Sequence, residues 1–304
     1  MVKIQVDSNG KAIMLSGKVL EASEGVTPTG TISITENGTY NVTNYASADV
    51  YVPSSGGVGI PREVSANGVY QTPSENFTFT LPSNATNLGK YAMFHAFYYC
   101  TNLTSVDLSS LTTISGKGAM YNAFYNCYGL TSVDLSNLTT VTGSGGMQSA
   151  FQYCENLPSV DLSSLTTISG SYGLSSAFEY CSGLEEVDVS NLTTVSGSYG
   201  LSDAFDGCRS LESVNFVNLS TLSGSYAMTR CFEESAIKDI KFPSLNSNSF
   251  GSYTNQFDEM LEYTGDCTVH FPSNLQSVIG SWTSVVSGFG GGDTTVLFDL
   301  PATT

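Results

Sequence analysis

The chain repeats itself every 27 residues over most of its length. Four residue types recur at this step. Within a unit, the phenylalanine is followed by a cysteine, a leucine and a valine at intervals of three residues. The columns are Phe97, Phe124, Phe151, Phe178, Phe205 and Phe232; Cys100, Cys127, Cys154, Cys181 and Cys208; Leu103, Leu130, Leu157, Leu184 and Leu211; and Val106, Val133, Val160, Val187 and Val214. One such unit cannot bury its own apolar residues, so successive units must stack. The repeat therefore predicts a solenoid.

Two shorter patterns alternate within each unit. Val133, Asp134 and Leu135 point inward, outward and inward, which is typical of a short strand. A second group has the i, i+3, i+4, i+7 spacing of one helix face and comprises Met120, Ala123, Phe124 and Cys127. Between the two patterns, Leu138 and Val141 anchor a turn. We predict one strand per coil in a parallel β-sheet on one face of the solenoid, and short helices on the other.

Two sequence frames carry a resemblance to a known family. Leu-x-x-Val-x-Leu-x-x-Leu covers residues 103–111, and Ala-Phe-x-x-Cys-x-x-Leu covers residues 123–130. Both recur in phase, and over residues 77–272 they resemble the BspA-like leucine-rich repeat family, although the unit here is longer. The resemblance implies a curved leucine-rich-repeat solenoid with surface-exposed binding or adhesion roles. It brings no catalytic residues with it.

The ends of the repeat suggest three domains. They are a small β-rich module at residues 1–58, the leucine-rich repeat solenoid of about eight coils at residues 59–272, and a C-terminal cap at residues 273–304. We place the last strand of the solenoid at residues 269–271. Asn9-Gly10 predicts a hairpin in the first module. This module either attaches the protein to a larger particle or simply caps the solenoid, and both alternatives remain open.

Composition excludes several classes of partner and chemistry. The chain has 27 acidic and 10 basic residues, a formal charge of −17, which disfavours nucleic acid. No apolar run approaches the roughly 18 residues of a membrane span, and the first residues lack a signal-peptide core. The two histidines, His95 and His270, stand in no catalytic motif. We therefore predict no enzyme, no catalytic residue, no cofactor and no metal site.

One acidic residue per unit forms a column on the predicted sheet, which we call the Asp ladder. Its members are Asp107, Asp134, Asp161 and Asp188, and Asn215 and Lys241 continue it. Repulsion between these acids can be relieved in several ways. Water can solvate them, Ser105, Ser132 and Ser159 can donate hydrogen bonds to them, or a basic ligand or calcium can neutralise their charge. Calcium is the weakest alternative, because one acid per coil supplies few of the roughly 6–8 oxygens that it needs. The ladder is a candidate binding surface.

A second candidate surface is the tyrosine column, which comprises Tyr172, Tyr199, Tyr226 and Tyr253. Exposed aromatic rings in a row can stack on sugars or on a partner protein. The alternative is that the rings stack on one another and cover loop backbone.

The cysteine column predicts buried free thiols. Cysteine behaves as a small hydrophobic residue, and its even step is unlike the uneven pairs of a disulfide framework. Zinc sites use Cys-x₂₋₄-Cys pairs, and the chain has none. We therefore predict that all seven cysteines are reduced.

Two functions fit these features. Residues 34–53, ITENGTYNVTNYASADVYVP, resemble a segment of phage and prophage tail-type proteins and of surface proteins of gut Firmicutes. Together with the absence of a signal peptide, this favours a non-enzymatic phage virion or tail-associated protein. The alternative is a bacterial cell-surface adhesin of the BspA-like type. The expected partners are a protein, a cell-surface glycan or other virion proteins. The expected location is the virion or the extracellular surface. The oligomeric state is left open.

Overall fold

The computed structural model is a parallel β-solenoid of about eight turns, so the predicted fold class is confirmed. It describes residues 76–81, 86–252, 255–279 and 294–302. It also describes the backbone of the earlier strands Gln5–Val6, Ala12–Ile13, Thr31–Ile34, Thr39–Thr43, Asp49–Val50, Glu63–Val64 and Tyr70–Gln71. Each turn of the solenoid has three sides, which we call the front sheet, the side sheet and the turn ribbon.

The front sheet is the sheet that the strand pattern predicts. Its strands are Phe77–Thr80, Leu103–Asp107, Ser132–Asp134, Ser159–Asp161, Glu186–Asp188, Ser213–Asn215, Asp239–Lys241, Thr268–Pro272 and Thr295–Leu300. The paired strands run parallel in the register of the repeat, so Val106 lies opposite Val133 and Val160 opposite Val187. The valines are buried, which places the front sheet over the core.

The side sheet was not predicted, and the expectation of one strand per coil is wrong. Its two-residue strands are Asp49–Val50, Asn87–Leu88, Thr113–Ile114, Thr140–Val141, Thr167–Ile168, Thr194–Val195 and Thr221–Leu222. These strands also pair in parallel, one coil on the next. β-Branched Thr, Val and Ile favour extended backbone. The segment that the sequence predicts as a turn in each coil therefore pairs as a short strand with the same segment of the next coil.

The turn ribbon replaces the predicted short helices, which are wrong. In residues 118–127, N–H groups alternate between a carbonyl three residues back and a carbonyl of the next coil. Ala123 donates to Met120 and Phe124 to Ala150, at 3.0 and 2.7 Å. Every fourth residue has a positive φ, as at Asn122 and Asn126. Among the described residues, only Ser273–Leu275 and Gln276–Ile279 are helical, and no helix is long and apolar enough to span a bilayer.

Coil spacing explains why the ribbon forms instead of a helix. The rings of the phenylalanine column lie 5.0–5.7 Å apart from Phe97 to Phe232. An α-helix with its side chains is about 10 Å wide, so helices cannot stack at this step. A ribbon that is one backbone thick can stack at this step. Its backbone N–H groups donate hydrogen bonds to carbonyls of the next coil, as those of a β-strand do.

Both ends extend beyond the predicted solenoid. Thr295–Leu300 pairs in parallel with Thr268–Pro272, so residues 269–271 are not the last strand. At the other end, Thr39–Thr43 pairs with Phe77–Thr80 in the front sheet. The predicted hairpin has its two strands, since Gln5–Val6 pairs antiparallel with Ala12–Ile13. The boundary at residue 58 lies outside the described residues, and the domain limits stay predictions.

The cysteine column lies in the core beside the phenylalanine stack. All seven cysteines are buried and free. The Cys154 thiol donates to the Phe124 carbonyl of the preceding coil at 3.3 Å, and Cys181 donates to Phe151 at 3.2 Å. Burial raises the pKa of the Cys181 thiol to about 12, which keeps it protonated and unreactive.

We expect the native protein to be inert to a thiol reagent such as Ellman's reagent, and the unfolded protein to react at all seven cysteines counted in the sequence. The reason is that buried, protonated thiols can be neither reached nor attacked. Thiol titration without reductant, before and after addition of guanidinium, measures both values. Three or fewer reactive thiols in the unfolded protein would contradict the prediction.

Candidate functional site

The Asp ladder lies at the ends of the front-sheet strands. Asp107 lies directly opposite Asp134, and Asp161 opposite Asp188. In each coil the aspartate Oδ1 accepts a hydrogen bond from the backbone N–H two residues later. The donors are Ser109, Ser136, Ser163 and Ser190, at 3.0, 3.0, 2.9 and 2.8 Å. These serines bond the ladder, and not Ser105, Ser132 and Ser159, which were one of the alternatives that the sequence left open.

These hydrogen bonds give the ladder a local structural role. An aspartate that bonds the backbone two residues ahead closes an Asx turn, which here ends each strand. Asp161 and Asp188 are exposed, whereas Asp134 is partly buried rather than fully exposed as predicted. The ladder thus shapes the turn after each strand and still presents carboxylates to solvent.

The tyrosine column lies on the turn ribbon, where its rings stack. The centroids of Tyr172 and Tyr199 are 4.9 Å apart with the ring planes 1° from parallel, and those of Tyr199 and Tyr226 are 5.1 Å apart at 14°. Tyr172 is 40% exposed, so the end of the stack is open to solvent. Tyr253 lies outside the described residues, and its place in the column stays a prediction.

The column is interrupted by two glycines. Counted back from Tyr172 by the repeat, its members are Gly145, Gly118 and Tyr91. A cleft of about 220 Å³ lies at the interruption, and its lining includes Tyr91, Phe94, Tyr121, Lys117, Ser144 and Gln148. Phe94 is 41% exposed and stacks on Tyr121 at 5.4 Å. An aromatic-walled cleft with polar groups at its rim therefore lies where two rings of the column are missing.

Family comparison agrees with this geometry. The model of the BspA type leucine rich repeat region matches residues 63–200 and 175–281, with six copies. The chain belongs to this family. The matched residues of the BspA-type solenoid include the cleft and the front-sheet strands from Phe77–Thr80 to Thr268–Pro272. The match confirms the resemblance that the two sequence frames carry.

Two further comparisons add little to the BspA-type assignment. A solved structure of a leucine rich cell surface protein from Faecalibacterium prausnitzii A2-165 is 15% identical. The alignment covers 92% of this chain and 95% of that one, but its TM-score of 0.28 carries no argument. No curated protein matches the chain.

The outer face of the BspA-type turn ribbon changes character from coil to coil. The first coils present aromatic side chains, namely Phe94, His95, Tyr98, Tyr99, Tyr121 and Tyr125. The later coils have charged side chains at the equivalent positions, and only Asp206 among them is buried. They are Asp203, Asp206, Arg230, Glu233 and Glu234. Columns of identical residues do not reveal either group, because the residue type at these positions changes from coil to coil. Aligning outward positions by the 27-residue step would have found them.

The charged end of the ribbon holds a compact acidic cluster. One carboxylate oxygen from each of Asp203, Asp206 and Glu233 lies within 4.8 Å of the others. At an effective dielectric of 20, two charges near this separation repel by about 3 kcal/mol. Arg230 offsets part of this repulsion, since its Nε is 2.9 Å from Asp203 Oδ1 and 3.7 Å from Glu233 Oε2.

Burial and mutual repulsion raise the pKa values of two acids of the cluster. Burial, and then the charges of Glu233, Glu179 and Asp203, raise the pKa of Asp206 to about 8. Burial likewise raises the pKa of Glu233 to about 7, although Arg230 opposes the shift. The cluster therefore favours proton uptake or a cation, and the sequence prediction of no metal site stays a prediction.

Proposed function

We propose that the protein is a non-enzymatic cell-surface adhesin of the BspA type that binds a glycan through its turn ribbon. Membership of the BspA-type family supports a binding role, and it favours the adhesin alternative over the phage virion interpretation that the sequence analysis placed first. The BspA-type match covers the solenoid and gives no support to the phage resemblance of residues 34–53.

The interrupted tyrosine column is the observation that carries the glycan proposal. A pyranose ring packs its C–H face on an aromatic face, and its hydroxyls bond to polar side chains at the edge. The cleft is lined by the aromatic residues Tyr91, Phe94 and Tyr121 together with Lys117, Ser144 and Gln148. Its volume of about 220 Å³ matches one ring, since a cavity of about 150 Å³ holds benzene.

The stacked tyrosines extend the proposed contact. Tyr172, Tyr199 and Tyr226 continue from the cleft along the same line of the ribbon at about one ring per coil. Successive rings of an oligosaccharide that begins in the cleft would pass along the outer edges of these tyrosines, whose faces cover one another. The Asp ladder remains the alternative contact, and it would take a basic protein partner.

Filling the cleft tests the proposal without removing any side chain. Gly145→Tyr restores a ring to the column, and Gly145→Ala is the matched control that leaves the cleft open. Gly145 has a φ of 62°, and Tyr172 and Tyr199 adopt 57° and 56° at the equivalent positions, so the chain already tolerates tyrosine in this conformation. We expect Gly145→Tyr to weaken binding to a printed glycan array at least tenfold, and Gly145→Ala to bind as the unmodified protein does.

A third variant separates the two surfaces. Replacing Asp134, Asp161 and Asp188 together by asparagine removes the ladder charge and keeps an Oδ1 acceptor for the turn. We expect glycan binding to be unchanged in this variant. Loss of binding here, with Gly145→Tyr unaffected, would move the contact to the ladder. An unmodified protein that binds no glycan on the array would refute the glycan ligand.

A further inference from the structure

The acidic cluster brings three carboxylates from two neighbouring coils within ligating distance of one ion. Oxygens from Asp203, Asp206 and Glu233 all lie within 4.8 Å of one another. Ligands bind Ca²⁺ at about 2.3–2.6 Å, so two oxygens on one ion can be up to about 5 Å apart. We propose that Asp203, Asp206 and Glu233 form a calcium site on the turn ribbon.

Asp206 supplies independent support, because it is buried and lacks a partner. Its exposed fraction is only 7%, and its Oδ1 has no hydrogen-bond partner. Buried charged groups in proteins are ordinarily paired or bound to a metal ion. The charged groups that act most strongly on this carboxylate are the acids Glu233, Glu179 and Asp203, which increase the need for a cation.

Arg230 alone does not neutralise the cluster. Its guanidinium contacts Asp203 and Glu233, whereas no hydrogen bond reaches Asp206 Oδ1. The Arg230 side chain is 45% exposed and extends from the outer face of the ribbon, so it can turn toward solvent when an ion enters. Arg230 is therefore a competitor of the ion and not a ligand.

The donor set selects a hard cation. The three candidate ligands are all carboxylates, and the Ser202 hydroxyl lies beside them, bonded to Asp203 Oδ2. Such oxygen ligands suit calcium and magnesium better than they suit most transition metals. Three carboxylates provide up to six oxygens when bidentate, and water completes the shell. Calcium tolerates this irregular arrangement, whereas magnesium demands near-octahedral geometry at about 2.0–2.1 Å.

Calorimetric titration with calcium chloride tests the site on the full chain after chelator treatment. We expect one Ca²⁺ per chain, an affinity at least tenfold lower in Asp206→Asn, and a higher affinity in Arg230→Gln, because a competing charge is removed. Asp188→Asn on the front sheet is the matched control, and it should bind calcium as the unmodified protein does.

Thermal unfolding provides the check on folding. Calcium should raise the Tm of the unmodified protein and leave that of Asp206→Asn unchanged. Without calcium, Asp206→Asn should melt at or above the unmodified protein, because the amide is neutral at every pH, whereas the buried Asp206 carboxyl is repelled by Glu233 and Asp203 whenever it is ionised. If that variant misfolds, the partly exposed Glu233→Gln decides by the same titration. No binding at millimolar calcium, or unchanged affinity in both variants, would overturn the proposal. The glycan proposal is independent of this result.

Discussion

Replacing Gly170 by alanine is expected to lower the free energy of unfolding by about 3 kcal/mol or more. A Cβ atom at this position would lie 2.2 Å from the carbonyl oxygen and 2.6 Å from the carbonyl carbon of Gly143 in the preceding coil. Both atoms belong to backbone that the two sheets and the ribbon hold in place, so neither can move aside. The methyl group must push two coils apart.

Five glycines share this contact, because the same corner recurs in every coil. At Gly116, Gly143, Gly170, Gly197 and Gly224, a Cβ would lie 2.0–2.2 Å from the backbone of the preceding coil. Gly265→Ala is the matched control, since nothing lies within 4 Å of its Cβ and its φ is not positive. We expect this control to change stability by less than about 0.5 kcal/mol. Urea unfolding followed by circular dichroism measures both variants, and equal stabilities would contradict the close approach of the coils.

Replacing Phe151 by alanine is expected to cost about 3–5 kcal/mol of the free energy of unfolding. Its ring is fully buried and lies between Phe124 and Phe178, at 5.0 and 5.4 Å, with the ring planes within 9° of parallel. The substitution removes two stacking contacts and leaves a cavity. Neighbouring coils cannot close the cavity, because backbone hydrogen bonds set their spacing.

Tyr263→Ala is the control for this second experiment. Tyr263 is 69% exposed, so removing its ring should cost less than about 1 kcal/mol. Both variants are measured by urea unfolding at one temperature and compared by their midpoints and slopes. A loss below about 1 kcal/mol in Phe151→Ala would mean that the stack contributes little to stability. In that case the hydrogen bonds between coils would be the main source of stability.

Sequence and structure disagree most informatively on the turn ribbon. Met120, Ala123, Phe124 and Cys127 are buried, as the helix pattern predicts. Over eight residues, a helix period of 3.6 and the observed period of four place the same positions inward, so the pattern cannot separate a helix from a ribbon. The distance to the next coil separates them, and that distance is a property of the stack.

The candidate sites divide in a similar way. The 27-residue step by itself brings Tyr172, Tyr199 and Tyr226 into one column, and it does the same for the Asp ladder. It does not show that Ser136 rather than Ser132 bonds Asp134, because that choice depends on how the chain turns after the strand. Neither does it show that Asp206 loses its access to solvent beside Glu233.

The sequence by itself determined the solenoid, its register and the inward columns, because an exact repeat forces equivalent residues to stack. Only the tertiary structure decided the side sheet, the ribbon, the cleft at Gly145 and the acidic cluster. Each of these depends on neighbouring coils that lie about 5 Å apart. At that spacing, backbone hydrogen bonds between coils outweigh local helix preference, and side chains 27 residues apart become nearest neighbours.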